Sequence, residues 1–383
     1  MPRSGPIWGL WLALTRWTAT KMPAGNSRRG FLAGLLAATA LPSLSWADAG
    51  SPAYLAAARD RVGGFEMVGL DRAGRDLFTI PLPGRGHAAC GHPSAPEAVA
   101  FARRPGTYAL VINCVTGQIS AHLQAPNGHH FTGHGVFLSD GDTLCTPEND
   151  FNAERGVIGF WSRKAGYRRV GQIRSGGVGP HELRKLAGSD VLVVANGGIL
   201  THPDRGREKL NLDVMQPNLT YLDVQNGVLE VVTLAPELHQ NSIRHLDIHP
   251  DGTVAFAMQW QGAPGEAHPL LGLHKRGQGV RLLSAPLARQ MGMKGYAGSV
   301  SYNRAGTQLA ITSPRGGQVH FYQSNGDYIG HWQRRDVCGL RDLGDGFLAS
   351  DGNGALHKIT PQTARPLSLS PRSWDNHIVS IAV

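Results

Sequence analysis

The stretch Gly133-His134-Gly135, Ser139-Asp140-Gly141, Thr146-Pro147-Glu148-Asn149-Asp150, Lys164-Ala165-Gly166, Gly179-Pro180-His181-Glu182 reads as one repeat that opens and closes on the same histidine. Its apolar runs are short and separated by tight turns. A run after His134 turns at Ser139-Asp140-Gly141, and Val157 to Trp161 turns at Lys164-Ala165-Gly166 into Tyr167 to Ile173. Short runs joined by Gly-containing turns predict an antiparallel meander.

Outward from this stretch the same unit recurs. Tyr108 to Val115 turns at Thr116-Gly117 into Ile119 to Leu123, Thr220 to Val224 turns at Asn226-Gly227 into Val228 to Leu234, and Val319 to Tyr322 turns at Asn325-Gly326 into Tyr328 to Trp332. Each such hairpin follows an inner pair of strands. The first inner strand begins at His87, His134, His181 and His245, near Ser299 and Gly339, and at His377, with starts 47, 47, 64, 54, 40 and 38 residues apart. Four strands at a period of about 40 to 50 residues are the signature of a propeller. Seven starts predict an all-β, seven-bladed β-propeller. The chain ends on a strand, His377 to Ala382, with no hairpin after it, and begins with three strands lacking an inner partner. The C-terminal strand is therefore expected to pair with the N-terminal blade, closing the ring and removing two sheet edges. A two-domain α/β arrangement competes poorly, because the mature chain has no helical apolar stripe longer than two turns.

Composition agrees with many strands and turns. Among 383 residues there are 50 Gly and 24 Pro, and only 17% are charged. The net charge is +9, but five of the 37 basic residues and none of the 28 acids fall within residues 1–47, which leaves the remainder at +4. No run of Lys and Arg interleaved with aromatics appears in the body, which argues against a nucleic-acid partner. Ser27-Arg28-Arg29-Gly30-Phe31-Leu32, a weakly apolar stretch to Leu44, and Ser45-Trp46-Ala47 read as a twin-arginine export signal cleaved after Ala47. That apolar stretch is short of the roughly 20 residues needed to span a bilayer. The expectation is a signal peptide over 1-47, translated from Met1 or Met22, and a single propeller domain over 48-383. It should be a periplasmic monomer with no membrane span after cleavage. Four cysteines, Cys90, Cys114, Cys145 and Cys338, match no metal-binding spacing and read as buried strand residues.

In an antiparallel blade, the connection into the first strand and that between the second and third strands lie on one face. Nearly every chemically notable residue falls there, at the mouth of the channel. The first-strand starts bring His87, His134, His181, Glu182, Arg244, His245 and His377. The other loops bring Arg103, Glu148, Asp150, Gln259 and the long segment Asn196 to Asn218, which includes His202, Asp204 and Arg205. A connection of that length is usually functional or disordered.

Several of these residues together carry a resemblance: Arg85-Gly86-His87, Ala102-Arg103-Arg104-Pro105-Gly106, Gly133-His134-Gly135, Glu148-Asn149-Asp150, Gly179-Pro180-His181-Glu182, Asn196-Gly197-Gly198, Thr201-His202-Pro203-Asp204 and Lys209-Leu210-Asn211-Leu212-Asp213. The chain resembles, over about residues 50–383, an uncharacterised bacterial family catalogued as a domain of unknown function. That family is exported by the twin-arginine route and is similar to the quinoprotein amine dehydrogenase β-chain propellers. Its members are often encoded beside imelysin-type and dihaem-oxidoreductase-like proteins, which implies a role in periplasmic iron or redox handling, with a protein partner from such a system. The resemblance assigns no catalytic residue.

Histidines from five blades can converge on the channel, where imidazole nitrogens suit a transition metal, iron or copper. The expected metal set is His87, His134, His181, His245 and His377. Arg103, Glu148, Asp150, Glu182, Asn196, His202, Asp204, Arg205, Arg244 and Gln259 are expected to line a ligand site around it. Two other readings stand beside this one. In a protein-protein interaction scaffold, the histidines would be structural pins hydrogen-bonded between blades. In a propeller oxidoreductase or hydrolase, Glu182 or Glu148 would be a general base beside Arg103 or Arg205.

Overall fold

Each predicted hairpin appears as the outer half of a four-stranded antiparallel sheet, and seven such sheets make up the ring. The computed structural model describes residues 43–103 and 107–381. The second to seventh blades run in chain order over residues 86–123, 129–174, 180–233, 241–283, 299–333 and 337–369. The first blade combines Tyr54–Arg59, Phe65–Leu70 and Asp76–Leu82 with the C-terminal strand Ser373–Ser380. That strand lies antiparallel to Tyr54–Arg59, Tyr54 facing Ser380 and Ala56 facing Ile378, so the ring closes as expected. The chain is an all-β, seven-bladed propeller.

Burial follows position within the blade. Middle strands such as Leu192–Asn196 and Gly346–Asp351 are buried throughout, because another blade packs on each side of them. Outermost strands such as Arg168–Arg174 have no fully buried position, which explains their charged sequences. The core is accordingly split into seven apolar seams, one at each junction between blades. Leu55, Met67, Ala100 and Ile112 fill the first seam, and Tyr54, Val68, Leu348, Trp374 and Ile378 fill the last. The four cysteines are free and buried in or beside these seams.

The third blade departs from the others. Its innermost strand is split into His129–Phe131 and Val136–Phe137, with Gly133-His134-Gly135 in the gap. Sequence reading placed Glu148, Asn149 and Asp150 in a loop beyond Pro147, but Thr143–Asp150 is one continuous strand. Pro147 is tolerated because it faces the gap. Thr132 N–H donates to its carbonyl at 3.2 Å, and no ladder bond is needed from the N–H that proline lacks.

The expected leader lies outside the described residues as far as position 42. Beyond that point Trp46 is buried among Ala49, Leu55 and Ile381, and its indole N–H donates to the His92 carbonyl at 2.8 Å. The first seam therefore begins one residue before the expected cleavage site.

Candidate metal centre

The five histidines predicted from the repeat come together at the centre of the ring. Ring centroids lie 4.6 Å apart for His87 and His377, 4.7 Å for His377 and His245, 4.8 Å for His245 and His181, 5.1 Å for His181 and His134, and 5.0 Å for His134 and His87. They form a closed but folded pentagon, because His134 also lies 5.0 Å from His377 and 5.9 Å from His245, and His87 lies 5.7 Å from His181. Two triads within it, His87-His134-His377 and His134-His181-His245, each place one nitrogen per ring within 4.8 Å of the others, and His134 belongs to both.

Backbone irregularity aims these rings inward. The innermost strand of the second blade shifts register between Gly86 and Ala89, around His87, and that of the fourth between Pro180 and Glu182, around His181. The fifth shifts between Ile243 and His245, and the closing strand shifts between Trp374 and Ile378, beside His377. A β-bulge inserts an extra residue and turns a side chain out of the alternating pattern. In the third blade the break itself does this work. Gly133 has φ +100°, and a Cβ there would meet His87 Cδ2 at 2.4 Å, while one on Gly135 would meet Phe101 Cζ at 2.5 Å. Only glycine on both sides lets His134 approach so closely. The sixth blade brings no histidine to the pentagon and its inner register runs without a shift, whereas the seventh shifts between Val337 and Leu340 and also brings none.

Four of the five rings are buried and His181 is half-buried, and four of their ten nitrogens are unsatisfied. His87 Nδ1, His134 Nε2, His181 Nδ1 and His377 Nε2 are buried with no hydrogen-bond partner. Each costs about 1–3 kcal/mol if left so. His245 is the exception, since its Nδ1 donates to Glu182 Oε2 at 3.1 Å. That bond fixes the tautomer and leaves Nε2 as the lone-pair nitrogen, the usual carboxylate-histidine arrangement behind a metal ligand. Glu182 Oε1 in turn accepts from Arg184 Nε at 2.8 Å. Burial alone would raise the Glu182 pKa, but Arg184, His134 and His245 outweigh it and hold the carboxyl well below its ordinary range.

Burial also keeps the imidazoles neutral. It lowers His134 to about 4 and puts His87, His181 and His377 well below the ordinary histidine value, with Arg103 acting on His87 and Arg244 on His181 in the same direction. The unfolded chain takes up these protons near pH 6.5 while the folded chain does not, so stability is fully present above that pH and falls as pH drops towards 4. Asp247, raised to about 6 by burial, acts in the opposite sense between about 4 and 6, as do Glu66 and Asp336, also raised by burial, but burial lowers His92, His320 and His331 along with these four histidines. The urea midpoint of the metal-free protein is expected to fall steadily from pH 7 to pH 4.5, and a flat midpoint would contradict the neutrality of His87, His134, His181 and His377.

The pentagon forms a waist between two cavities. On the mouth side, a cavity of about 200 Å³ is lined by His87, His181 and His245 together with Arg103, Arg244 and Gln259. On the far side, a cavity of about 290 Å³ is lined by His134 and His377 with Glu182, Arg184 and Arg341.

The remaining expected ligand residues lie elsewhere. Glu148 is buried in its blade, accepting from Arg169 Nη2 at 2.7 Å, Thr146 Oγ1 at 2.9 Å and His129 Nδ1 at 3.2 Å. Asp150 pairs with Arg155 at 2.8 Å, and Asn196 is saturated by Ser175, Asn218 and Thr220. His202 caps a 3-10 turn, accepting from Asp204 N–H at 3.3 Å, while Arg205 forms an exposed pair with Glu208. Neither Glu148 nor Arg205 lines the two cavities, so the general-base pairing that would use them is not assembled. Sequence reading did not single out Arg184 or Tyr296, and it gave Arg207 and Lys209 no place at the site. Only the Lys209-Leu210-Asn211-Leu212-Asp213 motif pointed to that part of the loop.

The fold and site define a propeller with a histidine-lined channel. The chain belongs to the family described as "Protein of unknown function (DUF1513)", which it matches over residues 80–381. No curated protein matches the sequence. Solved structures similar to the chain include a chain of Kuenenia stuttgartiensis hydrazine synthase, at 12% identity and TM-score 0.57, covering 80% of this chain and 90% of that one. KlHsv2 with loop 6CD replaced by a Gly-Ser linker has 12% identity and TM-score 0.51, covering 83% and 90%. A chain of the mitotic checkpoint complex has 11% identity and TM-score 0.51, covering 72% and 77%. At these identities the likeness is one of fold alone.

Proposed function

We propose that this protein binds one transition-metal ion at the waist of its channel, through His134 and its neighbours in the pentagon, and serves as a periplasmic accessory factor in iron or redox homeostasis. The observation that carries the reading is the set of four buried, unpartnered ring nitrogens. Structural pins would be hydrogen-bonded between blades, yet only His245 has such a bond, to Glu182. Imidazole donors fit copper, zinc, nickel or ferrous iron, and iron or copper suits a redox role. Because the triads share His134, the expected stoichiometry is one ion per chain. Export is supported by the Ser27-Arg28-Arg29-Gly30-Phe31-Leu32 leader, and no helix among the described residues is long and apolar enough to cross a membrane.

The test is metal analysis of protein purified from the periplasm, followed by stripping and reconstitution with iron, copper and zinc in turn. One tightly held ion per chain is expected. A protein that retains none of the three would sink the reading.

A further inference from the structure

The mouth-side cavity has a charge imbalance that the histidines do not explain. Arg103, Arg207, Lys209 and Arg244 line it, and among the described residues no aspartate or glutamate does. Arg103 is partly neutralised from outside the cavity, because its Nη1 reaches Asp375 at 2.9 Å. Lys209 Nζ donates to the neutral Gln261 at 2.7 Å. Its ammonium is shifted below the ordinary lysine value by burial and by the positive charges of Arg244 and Arg315. An adjoining open groove adds Lys294, Arg315 and Arg335, beside Arg334, which is paired with Asp351. Like charges around a low-dielectric cleft focus a positive potential into it and draw in anions. The floor offers His87, only 8% exposed, whose Nδ1 is buried without a partner.

We propose that this cavity is a binding site for a small, multiply charged oxyanion, a phosphate or a compact polycarboxylate, clamped by Arg103, Arg207, Lys209 and Arg244. Guanidinium forks match carboxylate and phosphate oxygens two at a time, and the lysine adds a point charge. Size sets the upper limit. A water takes about 30 Å³ in the liquid, so some 200 Å³ suits a compact anion rather than a polymer. The site lies directly above the histidine layer, where such an anion can complete the coordination of an ion in the channel. The clamp itself does not depend on that ion.

The experiment is calorimetric titration of the metal-stripped full-length chain with inorganic phosphate and, separately, with citrate. One anion per chain is expected, with affinity that falls as salt is raised. The tighter of the two anions identifies the phosphate or the polycarboxylate source. Arg207→Gln combined with Lys209→Gln, both on the exposed loop, should weaken binding by at least about tenfold while leaving the melting temperature unchanged. Absence of heat with both anions, or a double variant that binds like the parent, overturns the anion site. A chain that binds anion but never holds metal leaves the clamp standing and removes only the metal reading.

Discussion

A chain lacking residues 373–383 is expected to lose its cooperative fold altogether. The deletion removes the strand that pairs with Tyr54–Arg59 at five positions and leaves that long sheet edge open. It also takes Trp374, Ile378 and Ile381 out of two different seams. A propeller seam is stable only when both of its blades are held in place, so opening one junction loosens the whole ring. Circular dichroism of the truncated chain should show no sharp thermal transition, and a cooperative melt within a few degrees of the parent would contradict this account. A graded version is Ile378→Ala, which empties a site only 1% exposed and should cost about 2–5 kcal/mol by denaturant titration.

His134→Ala is expected to abolish stoichiometric metal binding, whereas His87→Ala should only weaken it. The asymmetry follows from geometry: loss of His87 leaves the His134-His181-His245 triad intact, while loss of His134 breaks both triads. Removing an outer partner of a ligand already lowers metal affinity by roughly 10–100-fold, and removing the shared ligand should exceed that range. Both variants should still fold, because each deletes a buried imidazole that lacks a partner rather than a satisfied one. Metal content after gel filtration, read beside the unfolding midpoint, separates the two effects. Equal retention by the two variants would show that His134 is not the common vertex.

The blade count and all five histidines were legible because both depend on period. Turns at Thr116-Gly117, Asn226-Gly227 and Asn325-Gly326 mark hairpins wherever they fall, and a histidine recurs at five of the seven strand starts. Register shifts leave no such trace. Nothing local distinguishes Gly86-His87-Ala88 as a bulge from an ordinary strand, so the inward aim of His87 has no signature in its neighbours. Glu148 shows the opposite failure: its expected place is a loop between the second and third strands, yet it lies within the continuous strand Thr143–Asp150. Charge partners such as Arg184 for Glu182 and Arg169 for Glu148 are set by cross-strand neighbours, which a linear reading does not pair.

The closing strand that carries His377 sets a clock on the whole molecule. Tyr54–Arg59 is made early, but its partner arrives more than 300 residues later, roughly 15–60 s at ribosomal speeds of about 5–20 residues per second. Through that interval the Tyr-Leu-Ala-Ala-Ala-Arg edge waits unpaired, and the pentagon lacks a vertex. Ring closure and completion of the histidine cluster are thus one event, set by the strand Ser373–Ser380. Until that strand arrives the cluster lacks His377, and of the two triads only His134-His181-His245 has all its members.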